Sequence, residues 1–291
     1  MSAAGTVVVT FILTDTHGVP VTPVTAATSD PAQAQVRFTI ARLDLDVETE
    51  RGFTTTFTRY LNYNTPRPGY DSGGTLATVD PVAGTYTYTF HTTLPAGFPA
   101  SLTHTVGGQV TRTFEGATLV ANPVFDFVPA GGPVTTVREV TTTAQCNGCH
   151  DQLEFHGGSR REVKLCQLCH TEQLTDASTG NSAEFQNMIH RLHRGQDLPS
   201  IVNGAVGAKY SFGSTVFAEK VKACVGGPLA GITCTADADC AGGTCTGSTT
   251  TGVAFPQDIR TCTLCHAEGA TASDYLQKPS ASACTGCHDD V

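Results

Sequence analysis

The sequence has little positive charge, lacks a long apolar run near its start and has no cysteine in its first half. Lys and Arg total 17 against 26 Asp and Glu, which gives a formal net charge of −9. Nucleic-acid backbones are bound by concentrated Lys and Arg surfaces, so this balance argues against nucleic acid as a partner. The apolar run at 7–13 is far shorter than the roughly 20 residues of a membrane-spanning helix, and it predicts a strand.

The distribution of cysteine divides the chain into two parts. All twelve cysteines lie after residue 145, and residues 1–143 are instead crowded with Thr, Val and Pro. Two parts of such different chemistry are not expected to share one core. The segment Pro-Ala-Gly-Gly-Pro at 129–133 marks the boundary, and we predict one domain at 1–133 and a second at 138–291.

The first domain shows the alternation of antiparallel β-structure. Tyr86, Tyr88 and Phe90 alternate with threonines, and Val36 and Phe38 alternate with polar residues in the same way. Turn-forming Gly, Pro and Ser residues separate these runs. The pattern predicts a β-sandwich of the immunoglobulin-like or Greek-key kind.

The second domain has too few aliphatic residues for an ordinary core, which predicts a mostly irregular, sparsely helical fold. One helix is expected, with Asn181 as its N-cap, Glu184 completing a capping box and Gly195 ending it. Its apolar face consists of Phe185, Met188, Ile189 and Leu192.

The decisive feature of this domain is the pattern Cys-x-x-Cys-His, the signature of c-type haem attachment. Two thiols separated by two residues form thioethers to the vinyl groups of haem, and the next residue places an imidazole under the iron. Single motifs of this kind also occur in redox dithiols and zinc knuckles, but the repeated His favours haem. The motifs are Cys146-Asn-Gly-Cys149-His150, Cys166-Gln-Leu-Cys169-His170, Cys262-Thr-Leu-Cys265-His266 and Cys284-Thr-Gly-Cys287-His288.

Four covalent haems with these proximal histidines require distal ligands as well. His190 and His193 lie three residues apart on the predicted helix, where each can reach a different haem. His156 precedes two glycines, which allow close approach of the backbone to a porphyrin. For the fourth haem we prefer His104, in the first domain. An iron without a distal ligand would instead favour a reductase acting on a small oxyanion or metal ion at a five-coordinate haem.

Four further cysteines lie in an insertion at 224–245 that is rich in Gly, Thr and Asp. They are Cys224, Cys234, Cys240 and Cys245. None has the motif spacing, so we interpret them as two disulfides, with zinc binding as the alternative. Four cysteines permit three pairings, and the sequence does not choose between them.

Several segments resemble the OmcA/MtrC family of outer-membrane decahaem cytochromes. They are Cys146-Asn-Gly-Cys-His-Asp-Gln-Leu-Glu-Phe-His-Gly-Gly, Met188-Ile-His-Arg-Leu-His-Arg-Gly, Phe255-Pro-Gln-Asp-Ile-Arg, Cys284-Thr-Gly-Cys-His-Asp-Asp and Gly84-Thr-Tyr-Thr-Tyr-Thr-Phe. The resemblance implies β-domains alternating with multihaem domains, with His156, His190 and His193 as distal ligands and added support for His104. It also implies display on the cell surface and electron transfer to metal oxides, flavins or humic material. The implied partners are other multihaem cytochromes or an outer-membrane porin-cytochrome complex.

The chain departs from that family in having four haem motifs rather than ten and in ending three residues after His288. This is the pattern of one β-domain followed by an incomplete haem domain. The numbered chain shows no export signal, and the cysteine usage predicts an exported protein at the cell surface or in the periplasm. We expect an electron carrier, with at most a metal or flavin reductase activity.

Overall fold

Strands outnumber helices in the described part of the chain, which is residues 5–26, 30–50, 53–64 and 66–290 of a computed structural model. The predicted domain ranges extend beyond these residues at both ends of the chain. Two compact units are present, and each is described by itself. The first comprises Met1–Val47, Thr56–Gln173 and Leu264–Gln277, and the second comprises Glu48–Thr55, Leu174–Thr263 and Lys278–Val291.

The first unit is built on two β-sheets. One sheet has the order β1-β6-β5, and the other has the order β2-β3-β7-β8, with β4 paired to β3 and β9 paired to β7. The last residues of β3 and the first residues of β4 belong to the second unit. The strands are β1 (Val8–Ile12), β2 (Val24–Thr25), β3 (Ala34–Glu50), β4 (Phe53–Asn62), β5 (Thr75–Asp80), β6 (Thr85–Thr89), β7 (His104–Phe114), β8 (Ala117–Ala121) and β9 (Val124–Phe127).

The apolar residues that alternate along these strands form one core shared by the two sheets. Tyr86 and Tyr88 on β6 are each only 2% exposed, as the alternation with threonine predicts. The rings of Phe38 on β3 and Tyr88 lie 5.1 Å apart, and Phe11 on β1 contacts Phe38 at 5.3 Å. The run at 7–13 contains strand β1, as expected. The immunoglobulin-like or Greek-key topology stays a prediction.

The opposite face of the second sheet is covered by a helix that carries a haem motif. A Cβ atom on Gly107 of β7 would lie 2.6 Å from the Cδ1 of Leu165 and 2.7 Å from that of Leu168, so a side chain here would force both leucines to shift. Thr39 is buried at the same place. The first unit therefore contains both the sheets and the second motif. The compact units divide the chain differently from the ranges 1–133 and 138–291, which stay a prediction.

The helices are short, and none within the described residues has the length and apolar composition needed to cross a membrane. The longest is α3, in the second unit, with ten residues. Short 3₁₀ turns occupy Gly195–Asp197, Asp237–Cys240 and Cys262–Leu264. The α-helices are α1 (Thr143–Cys146), α2 (Val163–Cys169), α3 (Phe185–Arg194), α4 (Pro199–Val202), α5 (Asp274–Gln277) and α6 (Ala281–Cys287).

Helix α3 forms as predicted, but its start is not where the sequence placed it. Glu184 is the N-cap, and its carboxylate accepts the backbone N–H groups of Gln186 and Asn187 at 3.1 and 2.8 Å. Asn181 instead donates its side-chain amide to the carbonyl of Ser211 at 2.8 Å. Gly195 ends the helix with a φ of 49°.

The second unit also contains a three-stranded sheet that the sequence analysis missed. Its order is β10-β11-β12, with antiparallel pairing throughout, so the prediction of a mostly irregular second domain is wrong for this stretch. Tyr210 and Ala218 pack with Leu198 and Ile201 beneath the sheet. The strands are β10 (Lys209–Phe212), β11 (Thr215–Val225) and β12 (Thr244–Gly252).

Two disulfides close the tip of the β11–β12 hairpin, as predicted for the insertion at 224–245. Cys224 pairs with Cys240, and Cys234 pairs with Cys245. Three of the four cysteines are buried against one another. The disulfides therefore supply the small core that this polar segment otherwise lacks.

Candidate haem-binding site

Three of the four motifs fold into the same turn. The backbone N–H of His150, His170 and His288 donates to the carbonyl of the first cysteine of the same motif, at 2.9 Å in each case. Residues i, i+3 and i+4 of a helical turn share one face. Both thiols and the imidazole of each motif therefore lie on one side, as two thioether bonds and an axial ligand require. In the third motif, Cys262–Leu264 forms a 3₁₀ turn.

Each motif begins four residues after a side chain that accepts a backbone N–H. Thr142, Glu162 and Ser280 are the N-caps of the first, second and fourth motif helices. In the third motif the same position is Asp258, whose carboxylate accepts the N–H of Arg260 at 3.0 Å. Such residues satisfy N–H groups that the first helical turn leaves without partners. The sequence analysis missed these residues, although a cap-forming residue precedes every motif at the same spacing.

The motif cysteines differ chemically from those of the hairpin tip, because neither disulfide involves them. Burial raises the pKa of Cys166 to about 12 and that of Cys146 to about 11, so both are thiols at neutral pH. The Cys265 group reinforces the shift at Cys146. Burial also raises the pKa of Cys287, and Cys262 adds to it. Cys146 and Cys265 are thus neighbours in the first unit, and Cys262 and Cys287 are neighbours in the second.

The second motif brings together a proximal histidine and a predicted distal one. The ring centres of His156 and His170 lie 6.0 Å apart, with 40° between their planes. Imidazole–metal bonds are about 2 Å long, so two imidazoles that bind one metal ion from opposite sides have ring centres about 6 Å apart. Burial, together with the positive charge of Arg160, lowers the pKa of His156 to about 4. This pair fits a six-coordinate haem iron, which binds neutral imidazole.

A tight loop holds His156 in place. Phe155 and Arg160 exchange backbone hydrogen bonds at 3.0 and 3.2 Å, which closes the loop on both sides of His156. The hydroxyl of Ser159 donates to the His156 carbonyl at 2.9 Å. His156 has a φ of 53°, and Gly157 and Gly158 also have positive φ, which glycine tolerates readily.

The third motif orients its histidine through the backbone of the first unit. The Nδ1 of His266 donates to the Val140 carbonyl at 3.0 Å, which places the lone pair on Nε2, the other ring nitrogen. The ring stacks on Tyr275 with centres 5.1 Å apart. Burial lowers the pKa of His266, which favours the neutral, ligating form.

Helix α3 holds two further histidines in the same orientation. The Nδ1 atoms of His190 and His193 donate to the carbonyls of Gln186 and Ile189 at 2.8 and 2.9 Å. Their Nε2 atoms therefore carry the lone pairs that could bind iron. His193 also contacts Phe255 edge-on, with ring centres 5.6 Å apart.

Helices α3 and α6 pack closely at the fourth motif. A Cβ atom on Gly286, inside that motif, would lie 2.7 Å from the Cβ of His190. The glycine therefore allows the helix that carries His190 to approach the motif. Asp289, directly after the motif histidine, accepts the N–H of Ser200 at 2.9 Å. These contacts place His190 beside the fourth motif.

His104 is in a different environment from the other predicted ligands. It is completely buried, its Nδ1 donates to the Leu102 carbonyl at 3.0 Å, and its Nε2 lies 2.8 Å from the Tyr63 hydroxyl. The rings of Phe98 and Phe127 also surround it. The nitrogen that ligation would need thus accepts the tyrosine O–H. This geometry does not support His104 as the fourth distal ligand, and we leave it out of the proposed ligand set.

Turns that present two thiols and an imidazole, together with a close imidazole pair, are the features of a multihaem c-type cytochrome. Residues 138–291, just over half of the chain, match the family model for outer membrane cytochrome MtrC/MtrF-like proteins, domains II/IV. The chain belongs to this family. The match confirms the resemblance to OmcA/MtrC proteins and the prediction of a multihaem cytochrome of electron transport.

Two similar proteins support the assignment. Over 133 residues the chain is 29% identical to the multiheme cytochrome MtrC of Shewanella baltica (strain OS185), a match that covers 42% of this chain and 20% of that protein. The crystal structure of the outer membrane decaheme cytochrome OmcA has the same fold, with a TM-score of 0.64 at 24% identity. That match covers 98% of this chain and 42% of the other. The chain thus spans less than half the length of either protein.

Proposed function

We propose that this chain is an electron-transfer protein with four haem c groups, each bound through the two thiols of one motif. The proximal ligands are His150, His170, His266 and His288. The distal ligands would be His156, which shares a haem with His170, and His190 and His193 on helix α3. The observation that supports the proposal most directly is the 6.0 Å separation of the ring centres of His156 and His170.

Burial favours the neutral form of His156 and His266, and backbone carbonyls orient the rings of His190 and His193. Burial lowers the pKa of His156 and His266, so a proton does not compete with iron. Carbonyl acceptors hold the Nδ1 atoms of His190 and His193, which fixes each ring with the lone pair on Nε2. Haem itself supplies a one-electron carrier whose potential is low when both axial ligands are imidazole. An iron with two histidines has no position for a substrate, which favours transfer over catalysis.

For the biological role we infer extracellular respiratory electron transfer to metal oxides, flavins or a partner cytochrome. Membership in a family of outer-membrane cytochromes supports this role and a location on the cell surface. The corresponding partners are other multihaem cytochromes or an outer-membrane porin-cytochrome complex. The purified holoprotein, reduced with dithionite, should be reoxidised by ferric oxide or flavin, and failure with every such acceptor would contradict this role.

The haem number and ligation are tested on protein matured with its haems. A pyridine haemochrome assay with intact mass should give four haems per chain, and electron paramagnetic resonance should show at least three as low-spin. Carbon monoxide should bind at most one reduced haem in four. Binding at two or more would contradict the assignment of His156, His190 and His193. Binding at one, with turnover of an oxyanion, would favour the alternative of a reductase with a five-coordinate haem.

A further inference from the structure

The loop that presents His156 is attached to the β-sheet part of the first unit through Asn122, and Arg160 adds a hydrogen bond from its Nε to Gln109 on β7 at 3.3 Å. Asn122 lies in the short connection between β8 and β9, well away in sequence from any motif. Its Oδ1 accepts the N–H of Arg161 at 2.8 Å, and its Nδ2 donates to the Ser159 carbonyl at 3.2 Å. One side chain therefore binds the loop backbone through both a donor and an acceptor.

Asn122 is itself held in place. Its Nδ2 also approaches the Gly108 carbonyl on β7 at 3.4 Å, and the N–H of Gly108 donates to the Pro123 carbonyl at 2.8 Å. The connection between β8 and β9 is thereby fixed to a central strand of the sheet. Because Asn122 is fixed to the sheet, its hydrogen bonds also fix the position of the loop backbone that they contact.

From Asn122 the contacts lead directly to the distal ligand. Ser159, whose carbonyl Asn122 binds, donates its hydroxyl to the carbonyl of His156 at 2.9 Å. The pair of hydrogen bonds between Phe155 and Arg160 then closes the loop around His156. His156 has a backbone φ of 53°, a conformation that non-glycine residues adopt at a cost and that the surroundings must hold.

We propose that Asn122 is a positioning residue that holds His156 against the second haem, so that the β-sheet part of the first unit controls the coordination of that iron. This rests on the proposed function, in which His156 and His170 are the axial ligands of one haem. Without the Asn122 contacts, the loop relaxes from its positive-φ conformation and His156 leaves the iron for part of the time. The second haem then becomes five-coordinate and open to a small ligand.

The test compares variants of the full-length holoprotein by carbon monoxide binding and by electron paramagnetic resonance. His156→Ala defines the loss of one distal ligand and should add one carbon-monoxide-binding haem per chain to the value of the unmodified protein. Asn122→Ala should add a substantial fraction of one carbon-monoxide-binding haem per chain. Thr118→Ala is the matched control, because Thr118 is exposed on the neighbouring strand β8, and it should add none.

Two further measurements separate positioning from loss of structure. The haem count of Asn122→Ala should equal that of the unmodified protein, and added imidazole should return its spectrum to low-spin. If Asn122→Ala is not secreted in folded form, Asn122→Asp replaces it. That variant keeps the acceptor for the Arg161 N–H and loses the donor to the Ser159 carbonyl. It should still add a measurable fraction of one carbon-monoxide-binding haem.

The possible failures are distinguishable. If His156→Ala adds one binding haem while both Asn122 variants match Thr118→Ala, the positioning role is overturned and the proposed function stands. If His156→Ala itself adds none, His156 is not an axial ligand, and both the positioning role and this part of the ligand set are overturned.

Discussion

The guanidinium of Arg191 on helix α3 lies 2.7 Å from the carboxylate of Asp289, the residue that directly follows the fourth motif. The Asp289 side chain is only 1% exposed, and it also binds Ser200 through both backbone and side chain. Arg191 packs over the ring of Tyr210 as well, with its Cζ 4.7 Å from the ring centre. The end of the fourth motif is thus fixed to the helix that carries two predicted ligands.

Removing this carboxylate should destabilise the second unit. Asp289→Ala leaves the Arg191 charge without its partner in a largely buried position, which typically costs about 3 kcal/mol. Urea unfolding followed at the haem absorption band measures the change. Asp290→Ala is the matched control, because Asp290 is exposed, and it should change the stability by less than about 0.5 kcal/mol. Equal effects of the two substitutions would show that the pair does not anchor the motif.

Arg160 should raise the reduction potential of the haem bound at the second motif. Its positive charge lies close enough to lower the pKa of His156, and a nearby cation favours the reduced haem, which carries one positive charge fewer. Arg160→Gln should lower that potential by on the order of 60 mV, the equivalent of a tenfold change in a one-electron equilibrium. A spectroelectrochemical titration should show this shift in one component only.

The control for that titration is Arg37→Gln, since Arg37 is exposed on strand β3. It changes the net charge by the same amount without changing the surroundings of a motif. The role of Arg160 would be refuted by equal shifts in the two variants, or by an upward shift for Arg160→Gln.

The stability of the sheets in the first unit should depend on pH through His104. Burial lowers the pKa of His104 in the folded state, so the unfolded chain binds a proton more readily. Stability is therefore complete above the unfolded value of about 6.5 and falls as the pH drops towards the lower folded value. The slope is at most about 1.4 kcal/mol per pH unit. Hydrogen exchange of strand β7, corrected for intrinsic rates, measures it.

His104→Phe should remove this slope and lower the stability at pH 7, because the Tyr63 hydroxyl loses its acceptor. His17→Gln, at an exposed histidine, should keep the slope. The low-spin haem spectrum should be the same in both variants. A new high-spin component in His104→Phe alone would restore His104 as a distal ligand.

The disulfides of the insertion should stabilise the hairpin tip without affecting the haems. The bridge between Cys234 and Cys245 closes a loop with a sequence separation of 11 residues, for which chain entropy predicts about 3 kcal/mol. Replacing both residues with serine should speed proteolysis within 224–245 and leave the haem spectrum unchanged. A loss of low-spin signal would show instead that the insertion takes part in haem binding.

Much of this architecture could be predicted from local patterns. The alternation around Tyr86 and Tyr88 identifies a strand with one buried face, and the spacing within each motif identifies thiols and an imidazole on one side of a turn. These signals lie within a few residues of one another. They depend on periods of 2.0 and 3.6 residues, which hold wherever the chain has regular structure.

The features that sequence reasoning missed depend on contacts between distant residues. Strands β11 and β12 are rich in Thr, Lys and Gly, and they are stabilised by their pairing, by the disulfides and by the packing of Ala218 against Leu198 and Ile201. The hydrogen bonds of Asn122 reach residues 37 and 39 positions away. The environment of His104 is likewise created by Tyr63, 41 residues away. Contacts between residues so far apart in sequence cannot be predicted from local patterns.

The capping residue before each motif bears on how the number of haem motifs in such a chain can increase. Residues 142–150, nine in all, contain a helix start, the two motif cysteines and the motif histidine. In the proposed function, a haem bound to so short a segment would supply apolar surface that the segment itself lacks. A further copy of such a segment, inserted into a loop, would add one haem while ordering few residues. The number of electrons that a chain holds could therefore increase with its length without a new fold.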